Sequence, residues 1–247
     1  MLKLHGFDAS NYVNMVKFVL LEKGVPFEQV TLYPAQEDAV LAVSPMGKVP
    51  VLETDQGHLC ETSVILEYLD DTTDGPAFYP ADPFQRARVK ELAKLVELYI
   101  ELPARRCYPE VFFGGQVSDE TKEQTREALL KGIRALNRVA DFSPYLAGDQ
   151  LSAADALFLY SADLAKAVAG KLFGLDLLAE APGSAELLKQ LNERDSAKRV
   201  AADRDAAMEK FSNTPAAAIT PGGRFTPPWR RVMLHGDSPF VSRSPCR

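Results

Sequence analysis

Cysteines are few in this sequence, and long apolar runs are missing. The three cysteines, Cys60, Cys107 and Cys246, include no pair at the spacing of a metal or redox motif, and their odd number argues against a disulfide framework. No apolar run approaches the roughly 18 residues that a membrane-spanning helix requires. Lys3 interrupts the apolar first residues, so they do not form the long apolar core that a signal peptide has. We therefore expect a cytoplasmic protein that does not bind a membrane.

Basic charge and histidine are also scarce. The formal net charge of the 247 residues is −6 at pH 7, which argues against nucleic acid as the main partner. The three histidines, His5, His58 and His235, are scattered along the chain, so the sequence predicts no metal site. Residues 213–247 differ from the rest, because they hold five arginines, one aspartate and six of the 17 prolines. They lack an apolar period, and we expect this tail to be disordered.

The first part of the chain reads as alternating strands and helices. Residues 2–4 and 27–32 alternate apolar and polar side chains, as strands do. Between them, Ser10 and Asn11 supply a helix N-cap and Gly24 a helix end, which predicts a βαβ unit. The remaining elements expected here are a weakly helical stretch at 33–43, short strands at 49–53 and 59–60, and a helix at 62–71 that buries Val64, Ile65, Tyr68 and Leu69.

Strand patterns disappear after residue 84. A long helix is predicted first, and Pro103 should kink or end it. Ser152 and Asp155 form a capping box before an alanine-rich helix that is apolar almost all round and should therefore be central. We assign Asp155 to this capping role and not to catalysis. The predicted helices of this part are 84–102, 119–140, 152–169, 183–199 and 204–211.

These patterns predict an α/β domain followed by an all-α domain. The α/β domain covers 1–75 and the all-α domain covers 84–212, with the tail at 213–247. Between the two domains, residues 72–83 are rich in proline and have the composition of a linker.

Two features of residues 44–69 predict a site for a small anionic peptide. Pro50 lies inside a strand-like run, where proline cannot donate to a ladder, so a cis bond that presents the backbone of Val49 to a ligand is expected. Glu61 and Thr62 then open a helix, whose first N–H groups are suited to hold a carboxylate.

Three motifs together resemble the glutathione S-transferase family, in its serine-type, bacterial-like cytosolic form. They are SNYV with EKG within 10–24, SPMGKVPVL at 44–52 with ET at 61–62, and GDQLSAAD at 148–155. The resemblance covers roughly the first 211 residues. It implies a thioredoxin-like N-terminal domain, a helical-bundle C-terminal domain, glutathione as co-substrate without a metal, and a homodimer.

The resemblance also implies which residues activate the glutathione thiol. A free thiol has a pKa of about 8.5, so it needs a donor that stabilises the thiolate. Serine-type transferases place their catalytic serine at the position of Ser10, and Asn11 is a second candidate donor. Tyr12 is a rival donor, although packing is its simpler role. Tyrosine-type members have a tyrosine at the end of the first strand, where this chain has His5-Gly6-Phe7. Thiol-type members have a cysteine at the position of Ser10, so neither of these mechanisms is expected here.

For glutathione itself, the resemblance assigns six residues. The backbone of Val49, with Pro50 in cis, would bind the cysteinyl part. Glu61 would pair with the γ-glutamyl ammonium, and Thr62 would hold its carboxylate. The simpler alternative for both is a plain helix cap. Two further side chains, Lys48 and Gln36, are candidates for the glycyl carboxylate, with a solvated loop as the alternative.

A small electrophile should bind between the two domains, where ligand pockets are common. The alternatives for its candidate residues are ordinary packing and, for the arginines, solvation. We expect conjugation of glutathione to this electrophile, with peroxidase or isomerase activity on the same thiolate as further possibilities. The rival hypothesis is a non-catalytic regulatory or assembly protein on the same fold. The candidate pocket residues are Tyr12, Tyr99, Arg105, Arg106, Tyr108, Phe112 and Phe113.

Overall fold

A computed structural model describes residues 1–212. The predicted disorder of 213–247 therefore lies outside the described residues. Four strands form one sheet in the order β2-β1-β3-β4, with β1 and β2 parallel and β3 antiparallel to both of its neighbours. No helix within the described range is long and apolar enough to cross a membrane. The strands are β1 (Leu2–Gly6), β2 (Phe27–Thr31), β3 (Val51–Thr54) and β4 (Gly57–Cys60).

Three helices accompany the sheet: α1 (Asn11–Glu22), α2 (Asp38–Leu41) and α3 (Thr62–Thr72). The α1 helix connects the parallel strands β1 and β2, as the βαβ prediction required. Leu4 and Leu52 are fully buried in the same core as α1 and α3. This arrangement confirms the thioredoxin-like fold of the N-terminal part. The helix predicted over 33–43 is wrong in extent, because only the four residues of α2 are helical.

The buried face of α3 differs from the prediction. Val64 was expected to be buried, but half of its surface is exposed. Leu66 is fully buried instead, together with Ile65 and Leu69. Counting from Thr62, which begins the helix and is itself buried, positions three, four and seven further on share one face. Val64 is two positions on and therefore points away from α1.

Among the described residues, the second part of the chain contains helices and no strand, apart from an isolated bridge between Tyr145 and Gly148, which confirms the all-α prediction. Its central helix is buried on nearly every side and packs against both α1 and the first helix of this part. The helices are α4 (Pro83–Val96), α5 (Leu102–Arg105), α6 (Tyr108–Phe113), α7 (Asp119–Val139), α8 (Ala153–Phe173), α9 (Ser184–Asn192) and α10 (Asp195–Ser212), with a π-helical turn at Glu97–Glu101 and a 3₁₀ turn at Leu177–Glu180.

The long helix is interrupted just before Pro103, in line with the predicted kink or end. The chain widens into the π-helical turn at Glu97–Glu101 and continues as α5 only to Arg105. Pro103 has no N–H to donate back into this turn, so a regular α-helical hydrogen bond is lost there. The predicted break between 199 and 204 is wrong. The chain turns at Arg194 instead, and the guanidinium of that residue binds the carboxylate of Glu22 on α1 at 2.6 and 2.7 Å.

One continuous apolar core joins the two parts. Phe18 of α1 and Phe158 of α8 are both fully buried in it, and Phe18 also meets Tyr160 edge-to-face with ring centroids 6.1 Å apart. The capping box of α8 forms as predicted. The carboxylate of Asp155 accepts hydrogen bonds of 2.8 Å from the N–H and the hydroxyl of Ser152 and from the N–H of Leu146. The exact domain boundaries remain a prediction.

Candidate functional site

The strand register brings three separate segments to one end of the sheet. His5 on β1 is paired with Val51 on β3, and Val51 is paired with Cys60 on β4. The chain therefore leaves β1, enters β3 and leaves β4 at the same end. We call this end the candidate edge; it comprises Ser10, Asn11, Val49, Pro50, Glu61 and Thr62, in the segments that follow β1, precede β3 and follow β4.

Ser10 caps α1, as the sequence predicted. Its extended backbone precedes the helix, and its hydroxyl oxygen accepts a long hydrogen bond of 3.4 Å from the N–H of Val13. The residue is 6% exposed. Accepting this bond leaves the hydroxyl proton available to donate elsewhere.

Asn11 is oriented by an arginine from the helical part. The guanidinium of Arg105 donates a hydrogen bond of 2.7 Å to the Oδ1 atom of Asn11. A guanidinium can only donate, so the amide must present its oxygen to Arg105 and turn its NH₂ group away. That Nδ2 atom is buried and has no hydrogen-bond partner within the described residues. The start of α1 therefore carries a buried donor that the described part of the chain does not use.

Arg105 is held by a buried acid. The Glu101 carboxylate is fully buried and accepts hydrogen bonds of 3.0 and 2.7 Å from Arg105 and one of 3.0 Å from the Tyr108 hydroxyl. The guanidinium also lies over the rings of Tyr12 and Tyr108, at 4.9 and 5.2 Å from their centroids. Burial is the largest single influence and would lower the pKa of Arg105, but Glu101, Tyr108 and Tyr12 together raise it. A fixed positive charge therefore lies beside Asn11.

Both tyrosines of this network stay protonated at neutral pH. Burial, reinforced by the negative charge of Glu101, raises the pKa of Tyr12 and of Tyr108. Tyr12 can therefore act as a hydroxyl donor but not as a phenolate base. Glu101 was not singled out from the sequence. Its separation of four residues from Arg105 was the available signal, because side chains at that spacing meet on one helix face.

The start of α3 is left without a side-chain cap. Glu61 precedes the helix with φ +67° and ψ 117°, a rare conformation for a residue other than glycine, and its exposed side chain makes no capping bond. The Thr62 hydroxyl is buried and has no hydrogen-bond partner among the described residues. Free N–H groups in a first helical turn, next to an unused hydroxyl, form a ready site for a carboxylate.

Loop residues surround this edge. The peptide bond between Val49 and Pro50 is cis, as the sequence predicted. Lys48 is exposed, and the Ser44 hydroxyl fixes its backbone, accepting from the N–H at 2.9 Å and donating to the carbonyl at 2.7 Å. Gln36 lies on the facing loop, where its amide donates to the Met46 carbonyl at 3.2 Å. Both candidate side chains for the glycyl carboxylate are thus in reach of solvent.

Two of the predicted pocket residues lie apart from this network. Arg106 donates a hydrogen bond of 2.8 Å to Gln124 of α7. Tyr99 is about half exposed, and its carbonyl faces α7 so closely that a Cβ atom on Gly132 would lie 2.1 Å from it. The remaining predicted aromatic residues follow Tyr108, whose ring meets that of Phe112 edge-to-face at 5.2 Å; Phe113 makes a further edge contact with Phe112.

The expectation that the histidines are scattered is wrong for two of them. Strands β1 and β4 both pair with β3, which brings His5 and His58 around Glu53 although they are far apart in sequence. The separation of two strands along the chain says nothing about their distance in a sheet. His235 lies outside the described residues.

Comparison with known proteins assigns the family. Residues 4–77 match the model of the glutathione S-transferase N-terminal domain. A protein of Pseudomonas putida named glutathione S-transferase is 54% identical over 211 residues, which cover 85% of this chain and 96% of the relative. The chain belongs to the glutathione S-transferase family. The resemblance inferred from the three motifs is thereby confirmed.

Solved structures of the family share the fold. Glutathione transferase F2 from Populus trichocarpa superposes with a TM-score of 0.72 at 22% identity, covering 83% of this chain and all of that one, which supports the fold alone. Maleylacetoacetate isomerase from Methylobacterium extorquens, solved with bound malonate and GSH, has a TM-score of 0.64 at 26% identity, covering 80% of this chain and 95% of that one.

Proposed function

We propose that this glutathione S-transferase family member ionises the thiol of glutathione at the start of α1 and transfers the thiolate to a small electrophile. The observation that carries the proposal is a pair of buried, unused polar groups at the candidate edge, the Asn11 amide and the Thr62 hydroxyl. Buried polar groups without partners are costly, by about 1–3 kcal/mol each, unless a ligand satisfies them. Glutathione has the groups to do so.

Glutathione would lie along the candidate edge with its γ-glutamyl group at α3. The carboxylate would accept from the first N–H groups of α3 and from the Thr62 hydroxyl, and the ammonium would pair with Glu61. The strained backbone of Glu61 supports this role, since such conformations occur where function requires them. The cysteinyl part would bind the backbone of Val49 before cis Pro50, and the glycyl carboxylate would meet Lys48 and Gln36.

This pose would place the sulfur at the start of α1. The Ser10 hydroxyl can accept from Val13 and donate its own proton to the thiolate, and the Asn11 amide can add a second donor. The positive end of the helix dipole acts in the same direction. Each unit by which the thiol pKa falls corresponds to about 1.4 kcal/mol of preferential thiolate stabilisation. A fall of about two units is within reach of these groups.

Arg105 would act as a positioning residue. It does not need to touch glutathione, because it fixes the amide of Asn11 so that the NH₂ group is turned away from it. Glu101 in turn fixes Arg105. The electrophile would approach over the rings of Tyr12 and Tyr108, where the charge of Arg105 is offset by that of its partner Glu101.

The same thiolate would serve glutathione-dependent peroxidase or isomerase chemistry. We further propose that the protein is a cytoplasmic homodimer that works without a metal cofactor and binds neither nucleic acid nor membranes. These properties agree with the net charge of −6 and with the family's usual assembly.

Calorimetry and kinetics test the proposal in two steps. Glutathione should bind the full-length protein with millimolar or tighter affinity. The ultraviolet absorbance of the bound thiolate should then give a thiol pKa below that of free glutathione. Ser10→Ala should raise this pKa and lower kcat with a chlorinated aromatic electrophile by roughly 100-fold or more. Asn11→Ala should act in the same direction.

Two results would contradict the proposal. Absence of glutathione binding at millimolar concentration would favour the non-catalytic alternative. Full activity and an unchanged thiol pKa in Ser10→Ala and Asn11→Ala would exclude both residues as donors. Arg105→Lys separates positioning from folding, because it keeps the charge but loses the forked geometry. It should raise the thiol pKa and leave the affinity for protonated glutathione, measured below that pKa, unchanged.

A further inference from the structure

Two histidines and a glutamate form a cluster on the sheet, outside the candidate edge. The ligand atoms of His5, Glu53 and His58 all lie within 4.8 Å of one another. His5 Nε2 is 2.7 Å from one carboxylate oxygen of Glu53, and His58 Nε2 is 3.9 Å from the same oxygen. Glu53 is the direct cross-strand partner of His58 and lies on the strand between the two histidines. The three residues therefore sit on three adjacent strands.

The cluster occupies the face of the sheet opposite to α1 and α3. Side chains alternate between the two faces along a strand, and the neighbouring residues Leu4 and Leu52 fill the core under those helices. His5 and Glu53 consequently point to the other face, where their side chains are 14% and 29% exposed, and that of His58 is 35% exposed. Ions can reach this face from solvent.

We propose that His5, Glu53 and His58 bind a divalent transition-metal ion of the Zn²⁺ type. Two imidazole nitrogens and one carboxylate are a common zinc ligand set, with a fourth position left for water. Zinc bound at about 2.0–2.1 Å to each ligand sets neighbouring ligand atoms roughly 3.3 Å apart. The distances from the Glu53 oxygen to His5 Nε2, 2.7 Å, and to His58 Nε2, 3.9 Å, lie on either side of this value. Binding of the ion would bring both distances to this value.

Lys3 is the natural competitor for this site. Its ammonium lies 2.7 Å from the second oxygen of Glu53, on the same side of β1 as His5. It neutralises the carboxylate and repels a second cation nearby. Removal of this charge should therefore tighten metal binding, whereas removal of a ligand should weaken it. These opposite effects distinguish a specific site from general attraction of cations to an acidic protein.

Zinc titration of the full-length protein tests the proposal. The protein is treated with a chelator and then titrated with Zn²⁺ by calorimetry, without glutathione, because glutathione itself binds zinc. One ion should bind with an affinity that Glu53→Gln and His58→Ala each reduce by at least about tenfold. Lys3→Met should increase the affinity, a gain that misfolding cannot produce. His235→Ala is the matched control and should leave binding unchanged.

Cobalt identifies the ligands spectroscopically. Co²⁺ in place of Zn²⁺ should give visible absorption without a thiolate charge-transfer band, since neither histidine nor glutamate contributes sulfur. The proposal fails if Glu53→Gln and His58→Ala bind zinc as well as the unmodified protein. It also fails if His235→Ala removes binding, or if a thiolate band shows that a cysteine is the ligand.

Discussion

The starts of helices α8 and α3 carry similar residues that serve different purposes. At α8, Ser152 and Asp155 satisfy each other and the N–H of Leu146, and all three contacts are short and buried. At α3, Glu61 makes no cap and the Thr62 hydroxyl has no partner among the described residues.

A hydroxyl and an acidic side chain at a helix start can serve either folding or ligand binding, and their hydrogen-bond partners distinguish the two roles. Where every donor and acceptor is paired inside the protein, the residues contribute to folding. Where donors and acceptors are buried but unpaired, the folded protein is less stable, and a ligand is the expected partner. Backbone strain at Glu61 agrees with the second case.

We call the start of α8 the closed start, because its polar side chains are paired with each other and with the N–H of Leu146, and the start of α3 the open start. The largest expected effect is on the closed start. Asp155→Ala removes the acceptor of three hydrogen bonds and leaves two buried N–H groups unpaired. The free energy of unfolding should fall by about 3–5 kcal/mol. Urea unfolding followed by circular dichroism measures it. Asp163→Ala, at an exposed position on the same helix, should change it by less than about 0.5 kcal/mol. A loss below about 1 kcal/mol in Asp155→Ala would contradict the structural role.

At the open start, a substitution should lower the affinity for glutathione without lowering the free energy of unfolding. Thr62→Val removes a hydroxyl that has no partner among residues 1–212, so the free energy of unfolding should stay equal or rise. Glutathione affinity, measured by calorimetry, should fall by about tenfold, because a hydrogen bond to a carboxylate is lost. Ser161→Ala removes another buried hydroxyl, on α8, that also lacks a partner within the described part of the chain, and should leave the affinity unchanged. Equal glutathione affinities of the unmodified protein and both variants would show that the Thr62 hydroxyl does not bind glutathione.

The closed start should also make stability depend on pH. Burial raises the pKa of Asp155 to about 6, although hydrogen bonds from Leu146 and Ser152 act against it. The folded state then binds the proton more tightly than the unfolded state, so this contribution to stability is full at low pH and is lost as pH rises through 6. Between about pH 5 and about pH 7.5, the stability of the protein relative to Asp155→Asn should fall by about 1 kcal/mol. Urea unfolding at both pH values measures this change; a relative stability that rises instead would refute the assignment.

The smallest expected effect concerns the strained residue at α3. Glu61→Gly and Glu61→Ala both remove the carboxylate and should weaken glutathione binding equally. Only glycine accepts φ +67° without a Cβ clash. The glycine variant should therefore be more stable than the alanine variant by about 1 kcal/mol, measured by thermal or urea unfolding. Equal stability of the two variants would show that the backbone of Glu61 is not strained.

Sequence patterns predicted those parts of the molecule that depend on local interactions. The cap at Ser10, the capping box at Asp155 and the amphipathic α7 involve residues within a few positions of each other. The predictions failed where contacts between distant residues decide. The burial of Leu66 in place of Val64 follows from how α3 faces α1, and the turn at Arg194, in place of the predicted break between 199 and 204, comes with the contact of that arginine to Glu22, 172 residues away.

The sequence by itself determined the division into an α/β part and a helical part, the family, and the candidate residues at the starts of α1 and α3. Tertiary structure alone decided which of their polar groups remain unpaired, because a partner such as Arg105 comes 94 residues after Asn11. It alone also placed His5 and His58 together, through a strand that pairs with both of theirs. Local patterns specify what a residue can do, but the distances across a packed core and a sheet specify what it meets.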